Sequence, residues 1–177
     1  MPFYPGPGLG GHCIPIDPFY LTWKAREFSQ HTRFIELAGE INTAMPQYVI
    51  ERLMEAMNEH GMCLKDHRVL IVGLAYKSNV DDVRESPSFV IWEQLAARGA
   101  KVDYYDPHCP IVPRTREHPS VADVESRTLE QISEAPYDAM IVVTNHRIVD
   151  HDALAQFARV VIDTRNAISP ADHVYKA

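Results

Sequence analysis

The sequence predicts an α/β fold in which a helical N-terminal segment precedes a parallel β-sheet. Between residues 33 and 60, apolar residues recur every three or four positions, which is the period of an α-helix. From residue 65 onward, short apolar runs alternate with helical patterns, and strands that alternate with helices pair in parallel through right-handed crossovers. A length of 177 residues suits one domain, or one domain with a helical appendage, and we place the boundary between the helical segment and the sheet domain between residues 62 and 63.

Two helices are predicted in the N-terminal segment. The first covers residues 19–28 and the second residues 33–60, with Gly61 as a typical C-terminal stop. Pro46 interrupts the second helix because proline lacks the N–H group that a helix interior uses, so it either kinks the helix or starts another one. The methionine and aromatic stripe of these helices indicates packing, either within the chain or across a dimer.

Four strands and three helices are predicted beyond residue 65. The strands cover residues 68–73, 101–105, 138–144 and 160–163, and the helices cover residues 86–98, 128–134 and 150–157. The first strand is a continuous apolar run, as expected for a strand covered on both faces. Ser86 is predicted to cap the first of these helices, with Pro87 in its first turn and Gly99 after its end. We expect the strand order 2-1-3-4.

Charge and cysteine content narrow the classes of partner and compartment. The net charge of −7, without a run of lysine or arginine, argues against nucleic acid or an anionic membrane as the main partner. No apolar stretch approaches the ~20 residues of a membrane span, and the N-terminus lacks the pattern of a signal peptide. Three scattered cysteines fit a reducing cytoplasm. Their spacing to histidines is not that of a zinc site, so no metal is expected.

A glycine-rich segment from Pro5 to Pro18, here called the glycine loop, presents a cysteine. Cys13 follows four glycines and His12, and Asp17 comes four residues later. Glycines allow the backbone to approach a ligand closely, and a thiol beside a carboxylate is a candidate nucleophile beside an acid or base. The alternative is a glycine-rich turn that contains an inert, buried cysteine.

The same loop contains a G-x-G-x-x-G pattern in the wrong context. Gly6, Gly8 and Gly11 satisfy the dinucleotide-binding fingerprint, which requires a strand before it and a helix after it. Only five residues precede Gly6, two of them proline, and Pro15 and Pro18 follow the loop's cysteine. We therefore reject a nicotinamide-binding turn at this position.

Cations follow two of the predicted strands. Lys77 and Arg84 come after the first strand, and Arg165 comes after the fourth. Ligands of parallel sheets bind at the carboxyl ends of the strands, and the helix that opens at Ser86 adds a positive N-terminus. The group suits an anionic ligand such as a diphosphate, which Arg can hold in bidentate fashion. The alternative is that the cations are solvated or paired with the neighbouring carboxylates at positions 81, 82 and 85.

Three motifs resemble the signatures of the UDP-glucose/GDP-mannose dehydrogenase family, in its C-terminal portion. They are the glycine loop with Cys13 and Asp17, the segment from residue 73 to 88, and Asp163-Thr164-Arg165. Their order and spacing agree with the family, and the resemblance covers essentially the whole chain. It implies a catalytic cysteine loop with connecting or dimerisation helices over residues 1–62, and a Rossmann-like UDP-sugar-binding domain over residues 63–177.

Within the family, the loop is most similar to UDP-N-acetylglucosamine 6-dehydrogenases of bacterial surface-polysaccharide biosynthesis. UDP-glucose dehydrogenases typically carry a serine before the cysteine and a lysine before the aspartate, whereas this chain has His12 and Ile16 there. Enzymes that act on N-acetylmannosamine or N-acetylgalactosamine share much of the pattern. The resemblance therefore favours, but does not single out, UDP-N-acetylglucosamine.

The resemblance also implies a mechanism. The family oxidises the C6 alcohol of a nucleotide sugar to a carboxylate with two NAD, through a thiohemiacetal and a thioester on the cysteine, here Cys13. Asp17 would organise or activate the hydrolytic water, and Arg84 would reach toward the NAD pyrophosphate. The residues implied in binding the UDP-sugar are Leu9, Gly10, Tyr76, Lys77 and Arg165.

One departure from the family pattern is large. A full member begins with an NAD-binding domain and a central helix that bears a catalytic lysine and asparagine, and this sequence contains neither. We therefore expect the C-terminal part of a homodimeric enzyme, which needs the N-terminal half to bind NAD and is catalytically silent alone. The alternative is a non-catalytic module for nucleotide-sugar binding or dimerisation.

Overall fold

A five-stranded parallel sheet forms the centre of the computed structural model, which describes residues 4–177. The strands are β1 (Arg68–Val72), β2 (Lys101–Tyr105), β3 (Tyr137–Val142), β4 (Ala158–Asp163) and β5 (Val174–Lys176). They lie in the order β2-β1-β3-β4-β5, and every adjacent pair is parallel. The predicted α/β class and the order of the first four strands are confirmed. The short β5 was not predicted, because its three residues carry no apolar run.

Five α-helices accompany the sheet within residues 4–177. They are α1 (Asp17–Arg26), α2 (Arg33–Glu59), α3 (Pro87–Ala97), α4 (Leu129–Glu134) and α5 (His151–Ala155). The helix α2 is one continuous element with Pro46 inside it, so a second helix does not start there. Ser86 caps α3 as predicted, since its Oγ accepts the N–H of Ser88 at 3.3 Å. None of the helices within residues 4–177 is long and apolar enough to cross a bilayer.

Both faces of the sheet are covered, which explains the continuous apolar run of β1. Val69 and Ile71 pack in the larger core with α2 and α3, whereas Leu70 and Val72 pack in a second core with α4 and α5. The second half of α2 belongs to the larger core through Val49, Ile50, Leu53, Ala56 and Met57. That half therefore packs within the chain, and the domain boundary at residue 62 stays a prediction.

The other half of the helical segment exposes its apolar side chains. Trp23 and Phe34 are 63% and 89% exposed, and Phe19, Tyr20, Leu37 and Ile41 are also exposed. A shallow cleft of about 490 Å³ lies on α1 between Ile16, Phe19 and Trp23. Such a contiguous apolar surface is typical of an interface. The part of the chain that the structure describes does not cover it.

A buried carboxylate joins the carboxyl ends of three strands. Asp106 follows β2, is 2% exposed, and accepts the N–H groups of Leu74 and Ala75, which follow β1, at 2.6 and 3.0 Å. It also accepts the N–H groups of His108 and Cys109, and its Oδ2 lies 3.1 Å from Nε2 of His146, which follows β3. Burial by itself would raise the pKa of Asp106, but the His146 contact and the backbone donors outweigh it and lower the pKa.

We expect Asp106→Asn to lower the free energy of unfolding by about 1–3 kcal/mol near neutral pH, because buried donors lose their acceptor. The folded pKa of Asp106 lies below the unfolded value, so its contribution is present above about pH 4 and is lost as the pH falls through the folded pKa. The free energy of unfolding of Asp106→Asn therefore approaches that of the unmodified chain as the pH is lowered. Urea unfolding of both proteins at several pH values measures this difference.

Asp123→Asn is the matched control, because Asp123 forms an exposed ion pair with Arg114. Exposed pairs contribute little, so this change is expected to stay within about 0.5 kcal/mol. If Asp106→Asn and Asp123→Asn lower the free energy of unfolding equally, the role given to the buried carboxylate is contradicted. The same holds if the loss of stability in Asp106→Asn does not vary with pH.

Candidate functional site

A cleft of about 890 Å³ opens at the carboxyl end of the sheet and is lined there by residues that follow β1, β3 and β4. It includes the switch point between β1 and β3, where parallel α/β sheets bind ligands. The cleft lies between the glycine loop and residues 73–82, here called the β1 loop. Its lining includes Leu9, Gly10, Ile14, Tyr76, Lys77, Ser78, Thr144, Asn145, Thr164, Arg165, Asn166 and Lys176.

The glycines let the glycine loop lie against the β1 loop. A Cβ on Gly10 would come within 2.6 Å of both the Glu85 carbonyl oxygen and Cβ of Tyr76. Gly11 has φ +84°, and its N–H donates to the carbonyl of Arg84 at 3.0 Å. Larger residues would push the two loops apart. The glycines are thus required by contact with protein, where the sequence suggested contact with a ligand.

The position of Leu9 is fixed by a helix. Its backbone N–H donates to Oδ1 of Asn42, in α2, at 2.8 Å. The N–H of Leu9 is therefore occupied, and Leu9 and the neighbouring Gly10 are part of the cleft lining. The sequence-predicted substrate residues Leu9 and Gly10 do line the cleft.

Arg165 enters the cleft without an ion-pair partner. Its Nε donates to the carbonyl of Val143 at 2.7 Å, and the side chain of any residue replacing Gly6 would collide with its guanidinium group. Burial lowers the pKa of Arg165. Among residues 4–177, no carboxylate lies within 4.0 Å of this guanidinium or of the Lys77 ammonium. Two uncompensated cations make the cleft suited to an anion.

Asp163 shapes the turn that carries Arg165. Its buried carboxylate accepts the backbone N–H groups of Arg165 at 3.0 Å and Ile168 at 2.9 Å, and Nζ of Lys176 at 2.6 Å. Burial by itself would raise the pKa of Asp163, but Lys176 and the backbone donors outweigh it and lower the pKa. Lys176 is therefore paired, unlike Lys77 and Arg165.

Arg84 lies outside the cleft lining and is paired locally. Its Nη2 and Nε donate to the two carboxylate oxygens of Asp82 at 2.6 and 2.9 Å. This side-chain hydrogen bonding, donated by Arg84 and accepted by Asp82, lowers the pKa of Asp82 and raises the pKa of Arg84. Of the three cations expected at one rim, the structure brings Lys77 and Arg165 to the cleft.

Cys13 is exposed in the glycine loop, in the turn that leads into α1. Its carbonyl accepts the N–H of Asp17, the first residue of α1, at 2.8 Å. Neither side chain lines the cleft, although Ile14 does, so the thiol lies beside the cleft rather than inside it. Cys13 is therefore not the buried, inert cysteine that the alternative interpretation of the glycine loop expected. Cys109 is buried, and burial raises the pKa of its thiol to about 11.

Several cleft residues were not predicted. Thr144 and Asn145 follow β3, so the reasoning on strand ends that led to Lys77 could have found them. Ser78 donates to the carbonyl of Asn145 at 2.7 Å, which ties the β1 loop to the end of β3. Lys176 lies in β5, the strand that the sequence pattern did not reveal.

The sheet does not provide a site for NAD within the described part of the chain. A dinucleotide site needs an open glycine turn after the first strand and a free acidic residue after the second. Gly73 packs so closely on Thr144 that a Cβ would collide with it. Asp106, the acidic residue after β2, already accepts hydrogen bonds from backbone N–H groups and from His146, so it is not free to bind a ribose. No step of a reaction is therefore assigned to NAD on this sheet.

Comparison with known proteins identifies the family. The family model described as UDP-glucose/GDP-mannose dehydrogenase family, UDP binding domain, matches residues 70–170, and that of the central domain matches residues 1–44. UDP-N-acetyl-D-mannosamine dehydrogenase of Methanococcus maripaludis is 33% identical over 93% of this chain and 36% of its own length. UDP-N-acetyl-D-glucosamine 6-dehydrogenase of Pseudomonas aeruginosa is 30% identical over 98% of this chain and 38% of its own.

Solved structures agree. UDP-D-ManNAc dehydrogenase of Pyrococcus horikoshii superposes with a TM-score of 0.78 at 28% identity, over 98% of this chain and 39% of that one. NDP-N-acetyl-D-galactosaminuronic acid dehydrogenase of Methanosarcina mazei shares the fold, with a TM-score of 0.81 at 22% identity, over 99% of this chain and 39% of that one. The chain thus spans little more than a third of the length of these proteins. Because the UDP-binding-domain model covers more than half of the chain and agrees with the motifs, the chain belongs to the UDP-glucose/GDP-mannose dehydrogenase family.

Proposed function

We propose that this chain is the UDP-sugar-binding, C-terminal part of a nucleotide-sugar 6-dehydrogenase, and that its cleft holds the diphosphate of the UDP-sugar. The observation that carries the proposal is the half-buried Arg165, which faces the cleft without a carboxylate partner among the described residues. Burying an uncompensated cation is costly. A diphosphate beside Arg165 and Lys77 would supply the missing negative charge.

The donors left on Arg165 fit this role. Its Nε is used by the carbonyl of Val143, and within residues 4–177 its two terminal nitrogens make no hydrogen bond. Those nitrogens are the edge of the guanidinium group that binds phosphate oxygens. Tyr76 and Lys77 face the same cleft from the β1 loop, and Leu9 and Gly10 face it from the glycine loop, where the sugar would lie.

The sugar is proposed to be N-acetylglucosamine. His12 and Ile16 stand where UDP-glucose dehydrogenases typically carry serine and lysine. Relatives named for UDP-N-acetylglucosamine and for UDP-N-acetylmannosamine match this chain to similar degrees. Both observations support an N-acetylated hexosamine. We further propose that the enzyme acts in the cytoplasm, in the biosynthesis of surface polysaccharides.

Cys13 is the proposed nucleophile. Its thiolate would add to the C6 aldehyde carbon, with a proton taken up by the aldehyde oxygen, to give a thiohemiacetal. After oxidation of this adduct to the thioester, water would attack the acyl carbon and release the carboxylate and the thiol. Asp17, in the first turn of α1, would accept a proton from that water. The two oxidations need NAD bound outside this sheet, toward which Arg84 would reach.

The partners follow from the same proposal. The exposed apolar side of α1 and of the first half of α2 would contact the NAD-binding half and the second copy of a homodimer. A second candidate function is a non-catalytic nucleotide-sugar-binding module. The absence of a dinucleotide site on the described sheet favours it for the 177-residue chain by itself, which we expect to bind without turnover.

We expect Lys77→Ala to weaken UDP binding by about 1–3 kcal/mol, because a hydrogen bond to a charged group is lost. Titration calorimetry of the chain with UDP measures the effect. Lys101→Ala is the control, since Lys101 is exposed and is the first residue of β2, at the amino end of the sheet and so at the end opposite the cleft. If the unmodified chain, Lys77→Ala and Lys101→Ala bind UDP with equal affinity, Lys77 is not part of the site. If none of the three binds UDP, the proposed function is contradicted.

In the whole enzyme, we expect Cys13→Ser to abolish formation of the uronate, because a serine alkoxide is a poorer nucleophile and leaving group than a thiolate. Cys63→Ser is the matched control, because Cys63 is also exposed and lies far along the chain from the glycine loop. Product analysis by mass spectrometry is the measurement. A normal uronate yield from the Cys13 variant would overturn its assignment as the nucleophile.

A further inference from the structure

A buried histidine links two loops beneath the cleft without lining it. His146 follows β3 and is 1% exposed. Its Nε2 lies 3.1 Å from Oδ2 of Asp106, and its Nδ1 lies 3.0 Å from the backbone nitrogen of Asn79 in the β1 loop. The imidazole therefore bridges the carboxylate after β2 and the backbone of the loop that carries Lys77.

Both neighbours of the ring dictate the same tautomer. The Asp106 carboxylate can only accept hydrogen bonds, so Nε2 must carry the proton that it receives. The N–H of Asn79 can only donate, so Nδ1 must offer its lone pair. A neutral imidazole with the proton on Nε2 satisfies both contacts. The ring of His108 lies 4.8 Å away, centroid to centroid, and covers it.

The contact with Asn79 is made at a left-handed turn of the loop. Asn79 has φ +62°, in the left-handed region that asparagine adopts more readily than most other residues. Its Oδ1 accepts the N–H of Arg147 at 2.9 Å, and the adjacent Ser78 is tied to Asn145. The two residues that follow Lys77 in the β1 loop are thus hydrogen-bonded to the residues after β3.

We propose that His146 is a positioning residue for the cleft, because its two ring nitrogens tie the β1 loop to Asp106 and so hold Lys77 and Ser78 in place. The inference rests on the proposed function for the identity of the ligand, but the tie between the loops is independent of it. Without the Nδ1 acceptor, the N–H of Asn79 would lose its hydrogen bond to His146. The left-handed turn would then lose one of the contacts that hold it in place.

The test separates the two ring nitrogens. In His146→Gln, the side-chain amide can still donate to Asp106 from near the position of Nε2, but nothing accepts from Asn79. In His146→Asn, Oδ1 lies near the position of Nδ1 and can accept from Asn79. We expect His146→Gln to weaken UDP binding roughly three- to tenfold, the loss typical of one hydrogen bond. We expect His146→Asn to bind more tightly than His146→Gln.

His151→Gln is the matched control for removal of a buried histidine. His151 is also buried, in α5, and its Nε2 has no partner within the described residues. This variant is expected to bind UDP like the unmodified chain, whatever its effect on the melting temperature. Amide hydrogen exchange at Asn79 provides a second readout, since it should be faster in His146→Gln than in His146→Asn or His151→Gln.

The outcomes separate the inference from the proposed function. Unchanged UDP affinity and unchanged exchange at Asn79 in His146→Gln would overturn the positioning role. If the unmodified chain does not bind UDP, the proposed function fails, and the exchange at Asn79 alone decides whether His146 holds the loop. Faster exchange at Asn79 together with weaker UDP binding in His146→Gln, with both effects smaller in His146→Asn, supports the positioning role of His146 and the proposed function.

Discussion

The buried carboxylate of Asp106 is the constraint on which the ligand end of the sheet depends. An ionised carboxylate removed from water is tolerated only when donors surround it. The donors come from the ends of three strands, and they are the N–H groups of Leu74, Ala75, His108 and Cys109 and the ring of His146. One carboxylate satisfies all of these donors, so it connects the loops after β1, β2 and β3 at the end of the sheet where the cleft opens.

Two cations face the cleft of an acidic chain without an ion-pair partner among the described residues. Arg84 is paired with Asp82, and Lys176 with the buried Asp163. Lys77 and Arg165 have no such partner within residues 4–177, and Arg165 is half-buried. Asp163 itself is enclosed by N–H donors, so its negative charge orders the turn rather than opposing an anion. An anion site can thus exist in a protein whose net charge is −7.

The sequence predicts the strands well where burial on both faces leaves an apolar run, as in β1, and it predicts the order of the first four. It misses β5, because a short, partly exposed strand has no such pattern. Strand ends led to Lys77 and Arg165, but the pairing of Arg84 depends on a side-chain conformation that spacing does not specify. The link from His146 to Asp106 spans 40 positions, and only the folded topology brings the two together.

The contact between Gly10 and Tyr76 has a consequence for selectivity. Since no side chain fits at residue 10, the glycine loop that carries Cys13 lies directly against the loop that carries Lys77. If Lys77 binds the phosphates and Cys13 is the nucleophile, as proposed, this contact limits how far apart the two groups lie. The span from diphosphate to reactive carbon would then be one property by which the protein distinguishes ligands.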